Sequence, residues 1–267
     1  MLLAALLGVV QGLTEFLPVS SSAHLILARA FFGWDAGEMG LAFDVACHVG
    51  TLLAVVVYFR RDLAAMVAAV PDMAARRPTP PARLAWLIVI GTVPAVLVGV
   101  LFGDFIEERL RTPYVAAVTL AVVAFSFFAV EALGRRARLH GTLTPGEAFG
   151  IGVAQASALV PGVSRSGATI VVGMALGLKR EEAARFAFLL GIPAILAAAG
   201  REGVMLLERG LSSGEGQLFA VGMASSAVVG YFTVKYFLRY LTGHSLAVFA
   251  WYRLLLAGAV VAWLFVR

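Results

Sequence analysis

Apolar residues run along this chain in long blocks separated by short polar gaps. Six blocks, at roughly 41–59, 83–102, 113–133, 182–200, 217–238 and 246–266, each supply about the 20 mostly apolar residues that a helix needs to cross a bilayer. The longest hydrophilic gap, 60–82, carries Arg60, Arg61, Asp62, Asp72, Arg76, Arg77 and a run of prolines near its end. It reads as a loop with room for a short interfacial helix. Two further blocks, 2–33 and 145–177, are apolar but broken in the middle, by PVSSSAH at 18–24 and by PGVSRSGAT at 161–169. Each half is too short to cross alone, which predicts a re-entrant helix–loop–helix pair in each block; a single kinked span is the alternative. Irregular backbone at membrane depth is tolerated only where protein buries it or a wet cavity borders it.

The two broken blocks resemble each other. Gly8-Val9-Val10-Gln11 reads against Gly152-Val153-Ala154-Gln155, and Val19-Ser20-Ser21-Ser22 against Val163-Ser164-Arg165-Ser166 at the same offset. The spans that follow match more loosely, 42–54 against 185–197. The fold class expected is therefore an all-α polytopic membrane protein. It would have six transmembrane helices plus two re-entrant helix–loop–helix pairs in an inverted-topology repeat. It reads as a single integral membrane domain over 1–267, with repeat 1 about 1–133 and repeat 2 about 145–267.

Composition agrees. Hydrophobic residues make up 61% of the 267, charged residues only 14%, and the mean hydropathy is +0.91. A soluble domain carries about 25% charged residues, so lipid has to be part of this chain's solvent. The net charge is +5, but the basic residues sit in gaps between apolar runs, not on one continuous face; no nucleic-acid partner is expected. Cys47 is the one cysteine, which excludes an intrachain disulfide and leaves it a packing role. The N-terminal stretch lacks a basic leader region and is interrupted by Gln11 and Glu15, so it reads as mature protein, not as a signal peptide.

Basic residues also predict orientation. With loop 60–83 in the cytoplasm, that side carries Arg60, Arg61, Arg76, Arg77, Arg83, Arg135, Arg136, Arg138, Lys179, Arg180, Arg185, Lys235 and Arg239. The other side carries Arg109, Arg111, Arg201 and Arg209, with Arg267 at the C-terminus. The positive-inside rule then places both termini outside. The first broken block enters from outside and the second from inside.

Chemistry concentrates at the two breaks. In QGLTEFLPVSSSAH, residues 11–24, Gln11 and Glu15 share a helix face, and an ionisable group in so apolar a segment is a functional hypothesis by default. Pro18 ends the first half-helix; Ser20, Ser21 and Ser22 supply hydroxyls and N-cap chemistry for the second, and His24 lies one turn beyond Ser21. A half-helix that starts inside the membrane points its N–H groups and positive dipole end at the cavity, which suits phosphate. The second break repeats the device with Ser164, Ser166 and Gly167, the glycine allowing close backbone approach. Arg165 adds a planar fork for bidentate phosphate binding. Brought face to face, the breaks offer what phosphoryl transfer needs. Glu15 is a base or cation ligand, Ser21 a nucleophile, His24 an adjacent imidazole and Arg165 a charge clamp. Elsewhere, Asp44 and His48 either line the cavity mouth or pair with each other. Arg253 snorkels or meets a carboxylate. Glu131 is interfacial, and Arg29 faces outer headgroups.

At these residues the chain resembles the undecaprenyl-pyrophosphate phosphatase family, the BacA-type bacitracin-resistance proteins. QGLTEFLPVSSSAH at 11–24 and PGVSRSGATI at 161–170 carry the resemblance, GTLLAVVVYFRRD at 50–62 supports it, and it covers essentially the whole chain. It implies removal of the terminal phosphate of undecaprenyl pyrophosphate for cell-wall synthesis, and with it bacitracin resistance. It implies a divalent cation, Mg2+ or Ca2+, held at Glu15. It also implies a site facing the outer side of the bacterial inner (cytoplasmic) membrane. The family's serine, histidine and arginine map to Ser21, His24 and Arg165. Gln11, Ser20, Ser22, Gln155, Ser164, Ser166 and Gly167 are the expected substrate-binding residues. Many relatives have glutamate where this chain has Gln11, which leaves one carboxylate fewer for any scheme that needs two. The partners implied are the polyprenyl pyrophosphate substrate and membrane lipid, with a homodimer left open. A polyprenyl-phosphate flippase or transporter is the alternative, since inverted repeats with broken helices also build carriers.

Overall fold

A computed structural model of the chain describes residues 1–32, 40–77, 79–133, 137–209 and 213–266. Arg135, Arg136 and Arg267 lie outside the described residues, as do the side chains of Arg29, Arg201 and Arg209. The described chain is helical throughout, apart from turns and one isolated parallel bridge between Arg138 and Leu178.

The first broken block forms α1 (Leu2–Thr14) and α2 (Ser21–Phe32); the second forms α8 (Pro145–Ser157) and α9 (Arg165–Ala175). Between them lie α3 (Leu41–Tyr58), α4 (Arg60–Ala68), α5 (Val70–Ala74), α6 (Pro80–Leu110) and α7 (Pro113–Ala132). After them come α10 (Arg180–Arg209), α11 (Ser213–Leu241) and α12 (Ala247–Val266). The six apolar blocks thus fall on α3, α6, α7, α10, α11 and α12. Five of these helices are long and apolar enough to cross a membrane by themselves. The sixth, α3, reaches that count only with α4, from which it bends by 75°. The stretch expected to be mostly loop after α3 instead carries two short helices, α4 and α5, with Pro71 in the first turn of α5. A missing N–H costs nothing in a first turn, so proline does not break the helix there.

The outside of the bundle is as apolar as its inside. Val100 is 79% exposed and Leu255 74%, with Leu97, Leu101, Val122 and Phe125 also turned outward. In water such a surface would aggregate; in lipid it is solvated. The interior packs Phe16 of the first break, Phe127 of α7 and Phe186, Leu189 and Leu190 of α10 into one cluster. Small residues allow the closest helix approaches. A Cβ on Gly8 would lie 2.5 Å from the carbonyl of Gly222 in α11, and one on Gly152 would lie 2.2 Å from that of Gly91 in α6. The two glycines paired by sequence therefore do the same job, α1 against α11 and α8 against α6.

One end of the bundle is tied by ion pairs. Arg180 holds Glu131 through two bonds of 2.9 and 2.5 Å, and Glu131 also accepts from the Leu246 N–H. Arg185 meets Asp62 at 3.2 Å, and His140 is bonded to Glu182. Thr144 and Glu147 form a capping box at the start of α8. The Arg138 guanidinium grips the same Glu147 carboxylate at 2.8 and 3.0 Å, and with the Thr144 N–H it holds that carboxyl down to about 2. At the opposite end Arg111 pairs with Asp44 at 2.9 Å. Cys47 is buried beside Phe43 and Phe219 in packing, as expected.

Candidate active site

Both breaks are built the same way. Ser20 and Ser164 adopt positive φ, 75° and 72°, a conformation that costs a non-glycine residue on the order of 1–3 kcal/mol. In each break that serine's hydroxyl lies 3.2 Å from the hydroxyl two residues on, Ser22 in the first and Ser166 in the second. Ser164 also caps α9 by accepting from the Gly167 N–H at 3.2 Å. The strained residue turns the chain sharply enough that a new helix begins at once, so Ser21 and Arg165 occupy equivalent places at the helix starts.

The two breaks touch. The Ser166 hydroxyl donates to the carbonyl of Leu17 at 3.2 Å. Arg253 of α12, completely buried, ties them together. Its guanidinium donates to Pro18 in the first break at 3.1 Å and to Gly162 in the second at 2.7 Å. It also donates to Leu120 of α7 at 3.1 Å and lies over the Phe127 ring. Arg253 therefore neither snorkels nor meets a carboxylate; its hydrogen bonds end on main-chain carbonyls, those of Pro18 and Gly162 freed where helices break and that of Leu120 within α7. Each buried carbonyl left without a donor costs about 1–3 kcal/mol. Arg253→Met is therefore expected to destabilise the protein by on the order of 3 kcal/mol, seen as a lowered unfolding midpoint in detergent. An unchanged midpoint would show that the carbonyls find other donors.

At the meeting point stands Glu15, 7% exposed. Its Oε1 accepts from Arg165 Nη2 at 2.7 Å, which joins the second break to the first. Its Oε2 accepts from Ser21 Oγ at 2.6 Å and from Gln11 Nε2 at 2.9 Å. His48 Nε2 lies 3.4 Å from the same oxygen. Arg165 is steadied from behind by the Gly191 carbonyl, 2.8 Å from Nη1. A Cβ on Gly191 would fall 2.6 Å from that nitrogen, so the guanidinium occupies the space a side chain would fill. In the sequence pairing of α3 with α10, Gly191 stands opposite His48. α3 puts an imidazole at this place, and α10 leaves it open for Arg165. A cavity of about 230 Å3 opens here, bordered by Glu15, Ser21, Ser22, His48, Ser164 and Arg165. A larger groove of about 550 Å3 along α11, lined by residues such as Leu13, Phe232 and Phe249, is almost wholly apolar and carries no phosphoryl chemistry.

Of the residues expected at the site, Gln11, Glu15, Ser20, Ser21, Ser22, Ser164, Ser166 and Arg165 come together. Three are placed differently. His24 is turned away from Ser21: its Nδ1–H donates to the Ser20 carbonyl at 2.7 Å, and its Nε2 accepts from the Tyr252 hydroxyl at 2.6 Å. Gln155 is buried with neither amide atom hydrogen-bonded to any described residue, and it does not border the cavity. Gly167 makes room for the Phe127 ring, 3.2 Å from where its Cβ would be. His48 borders the cavity and meets the Asp44 carbonyl, as the sequence allows, and it is also the imidazole beside Glu15. Asp44 is drawn off by Arg111. The signal for His48 was its i,i+4 spacing from Asp44, which could not say that α3 packs this face toward α1.

Comparison with known proteins settles the kinship. The family model for bacitracin resistance protein BacA matches residues 4–259. This chain belongs to the BacA family. An undecaprenyl-diphosphatase of Rubrobacter xylanophilus is 50% identical over 265 residues, covering 98% of this chain and 97% of that one. Undecaprenyl-diphosphatases of Pelobacter propionicus and Alcanivorax borkumensis are each 46% identical over 262 residues, covering 97% and 98% of this chain and 95% and 98% of theirs. Membership in the BacA family thus extends over both breaks and all the long helices.

Proposed function

We propose that this chain is an undecaprenyl-diphosphatase, hydrolysing the terminal phosphate of undecaprenyl pyrophosphate to give undecaprenyl phosphate and inorganic phosphate. The observation that carries the reading is the Arg165–Glu15–Ser21 chain of hydrogen bonds across the two breaks. All three residues come from one chain.

Ser21 Oγ attacks the terminal phosphorus while Glu15 Oε2, already 2.6 Å away, takes the hydroxyl proton. The bond from phosphorus to the bridging oxygen breaks, and undecaprenyl phosphate leaves. Water then attacks the phosphoserine, the Oγ–P bond breaks, and Glu15 returns the proton to Ser21. Arg165 lets go of Glu15 Oε1 to grip the phosphate oxygens, with the N-termini of α2 and α9 adding their dipoles. Base duty at Ser21 thus falls to Glu15, and His24 serves to orient the break through Ser20. The relatives' resemblance implies a divalent cation, and the donor set fits one. Glu15 supplies a single carboxylate, and Gln11 Oε1 is buried without a hydrogen-bond partner among the described residues. Such a sparse set suits an ion that takes most of its ligands from substrate phosphates, where it would neutralise their charge.

The breaks are read as re-entrant pairs in an inverted repeat within the bacterial inner membrane. Supporting this are the matched serines of positive φ, the exchanged packing of α1 on α11 and α8 on α6, and half-helices of 11–13 residues. The cavity is assigned to the outer side. The described basic residues gather at the end where α10 begins, whereas Ala194–Ala199 of α10 border the cavity, roughly 21–28 Å further along.

Ser21→Ala is expected to lower phosphate release by more than Ser20→Ala or Ser22→Ala, measured on purified protein in detergent, where transport has no meaning. Release within about tenfold of the unaltered protein, roughly 1.4 kcal/mol of barrier, would remove the nucleophile role. Orientation is tested in a Cys47→Ser background with single cysteines replacing Ser22 or Ala137. In intact cells a membrane-impermeant thiol reagent is expected to label position 22, with protection by substrate, and to leave 137 untouched. The reverse pattern would invert the topology.

A further inference from the structure

The two groups that react first, Glu15 and Ser21, stand on either side of the turn that joins α1 to α2. Their 2.6 Å contact therefore depends on the course of residues 16–20. That course is not one the backbone keeps by itself. Ser20, at φ 75°, sits immediately before the nucleophile in a region that serine avoids, and such a residue stays there only where its surroundings hold it. A relaxed Ser20 would swing Ser21 away from Glu15 Oε2.

Two neighbours on α12 supply the hold. Consecutive helical residues point about 100° apart, so Arg253 turns inward while Tyr252 turns outward, 44% exposed. Arg253 donates to the Pro18 carbonyl at 3.1 Å. Tyr252 reaches the turn from its other side, through His24. Its hydroxyl donates to His24 Nε2 at 2.6 Å, and His24 Nδ1–H donates to the Ser20 carbonyl at 2.7 Å. The two rings lie nearly parallel, with centroids 5.7 Å apart. Neither His24 nor Tyr252 borders the cavity, so neither touches a phosphate bound there.

We propose that Tyr252 is a positioning residue for phosphoryl transfer: through His24 it fixes the Ser20 carbonyl and so holds Ser21 Oγ against Glu15. The inference rests on the phosphatase reading for its effect on turnover, but not for its effect on the turn. The hydroxyl is the working part of Tyr252. Without it, His24 Nε2 loses its donor and the imidazole is free to rotate. The Ser20 carbonyl then keeps only the His24 main-chain N–H, at 3.2 Å in the first turn of α2. Binding of the pyrophosphate relies on Arg165 and the half-helix N-termini, which Tyr252 does not touch. Alignment of the nucleophile is what is lost, and that falls on kcat, not on KM.

The test compares Tyr252→Phe, which removes only the hydroxyl, with the unaltered full-length protein in detergent. The kcat for phosphate release is expected to fall about tenfold while KM stays within about threefold. Tyr252→Met, a second variant without the hydroxyl, takes its place should Tyr252→Phe not elute as folded protein. Action through His24 has its own signature. In a His24→Ala background, Tyr252→Phe should change kcat by less than about twofold. His24→Asn, whose amide places a donor where Nδ1 stands, should recover most of the rate lost in His24→Ala. Hydrogen exchange gives a readout that needs no substrate. In Tyr252→Phe it should quicken severalfold in the peptide covering 17–24 and stay unchanged in that covering 161–169. The proposal is overturned by a kcat within about twofold of the unaltered chain, by KM rising as far as kcat falls, by a full Tyr252→Phe effect in the absence of His24, or by unchanged exchange at 17–24. No release by the unaltered protein removes the phosphatase reading, and the exchange then decides by itself whether Tyr252 holds the turn.

Discussion

Glu15→Gln is expected to reduce phosphate release by about 1,000-fold or more, roughly 4 kcal/mol of barrier. The amide keeps the shape of the carboxylate and can still meet Gln11 or Ser21, so the fold should persist. It cannot take the Ser21 proton, and general-base assistance alone is worth on the order of 100- to 10,000-fold. It also leaves Arg165 facing a neutral group where it now bonds Oε1 at 2.7 Å. Glu15→Asp separates the two losses. It retains the charge but withdraws the oxygens by one methylene, so Ser21, now 2.6 Å away, loses direct contact. An intermediate fall, on the order of 10- to 100-fold, is the expected outcome. Measured as initial rates of phosphate release on protein with an unchanged elution profile, a Glu15→Gln variant within tenfold of the unaltered chain would sink the assignment of Glu15 as base.

Arg165→Lys is the second large effect, a fall on the order of 100- to 1,000-fold. Lysine keeps the charge but offers a point where arginine offers a fork. It also cannot bond Gly191 and a substrate oxygen at once with fixed geometry. Gly191→Ala tests the same arrangement from the other side. The new methyl would lie 2.6 Å from Nη1, so the guanidinium has to move although its chemistry is untouched. The expected result is a fall in kcat of about tenfold. KM should change less, because the charge still draws the pyrophosphate in while its alignment for attack is lost. Near-normal turnover in Arg165→Lys would show that bidentate contact plays no part. A Gly191→Ala variant with full kcat would show that the guanidinium has slack that its packing does not suggest.

Membrane embedding, the helices and both breaks were determined by the sequence itself, and the reason is physical. Lipid tolerates few unpaired polar groups, so apolar blocks of spanning length and the rare polar residues within them are conspicuous one by one. Gln11, Glu15, Ser21 and Arg165 could be named because each is costly where it stands. The α4 and α5 helices were less legible, since a polar stretch with prolines reads the same whether its turns are helical or not. Only tertiary structure decided which polar groups meet. His24 and His48 are equally plausible imidazoles in the sequence. The packing of α3 turns His48 to Glu15, and the Tyr252 hydroxyl on α12 holds His24 away. Arg253, 235 residues from its partner Pro18, gave no local sign that it would join the two breaks through their carbonyls. Gly191 showed only an absent side chain until α10 was laid against α9 and Arg165 filled the gap. Period and polarity are properties of one helix, whereas these contacts depend on how helices distant in sequence rotate against one another, and that is set by packing over the whole bundle.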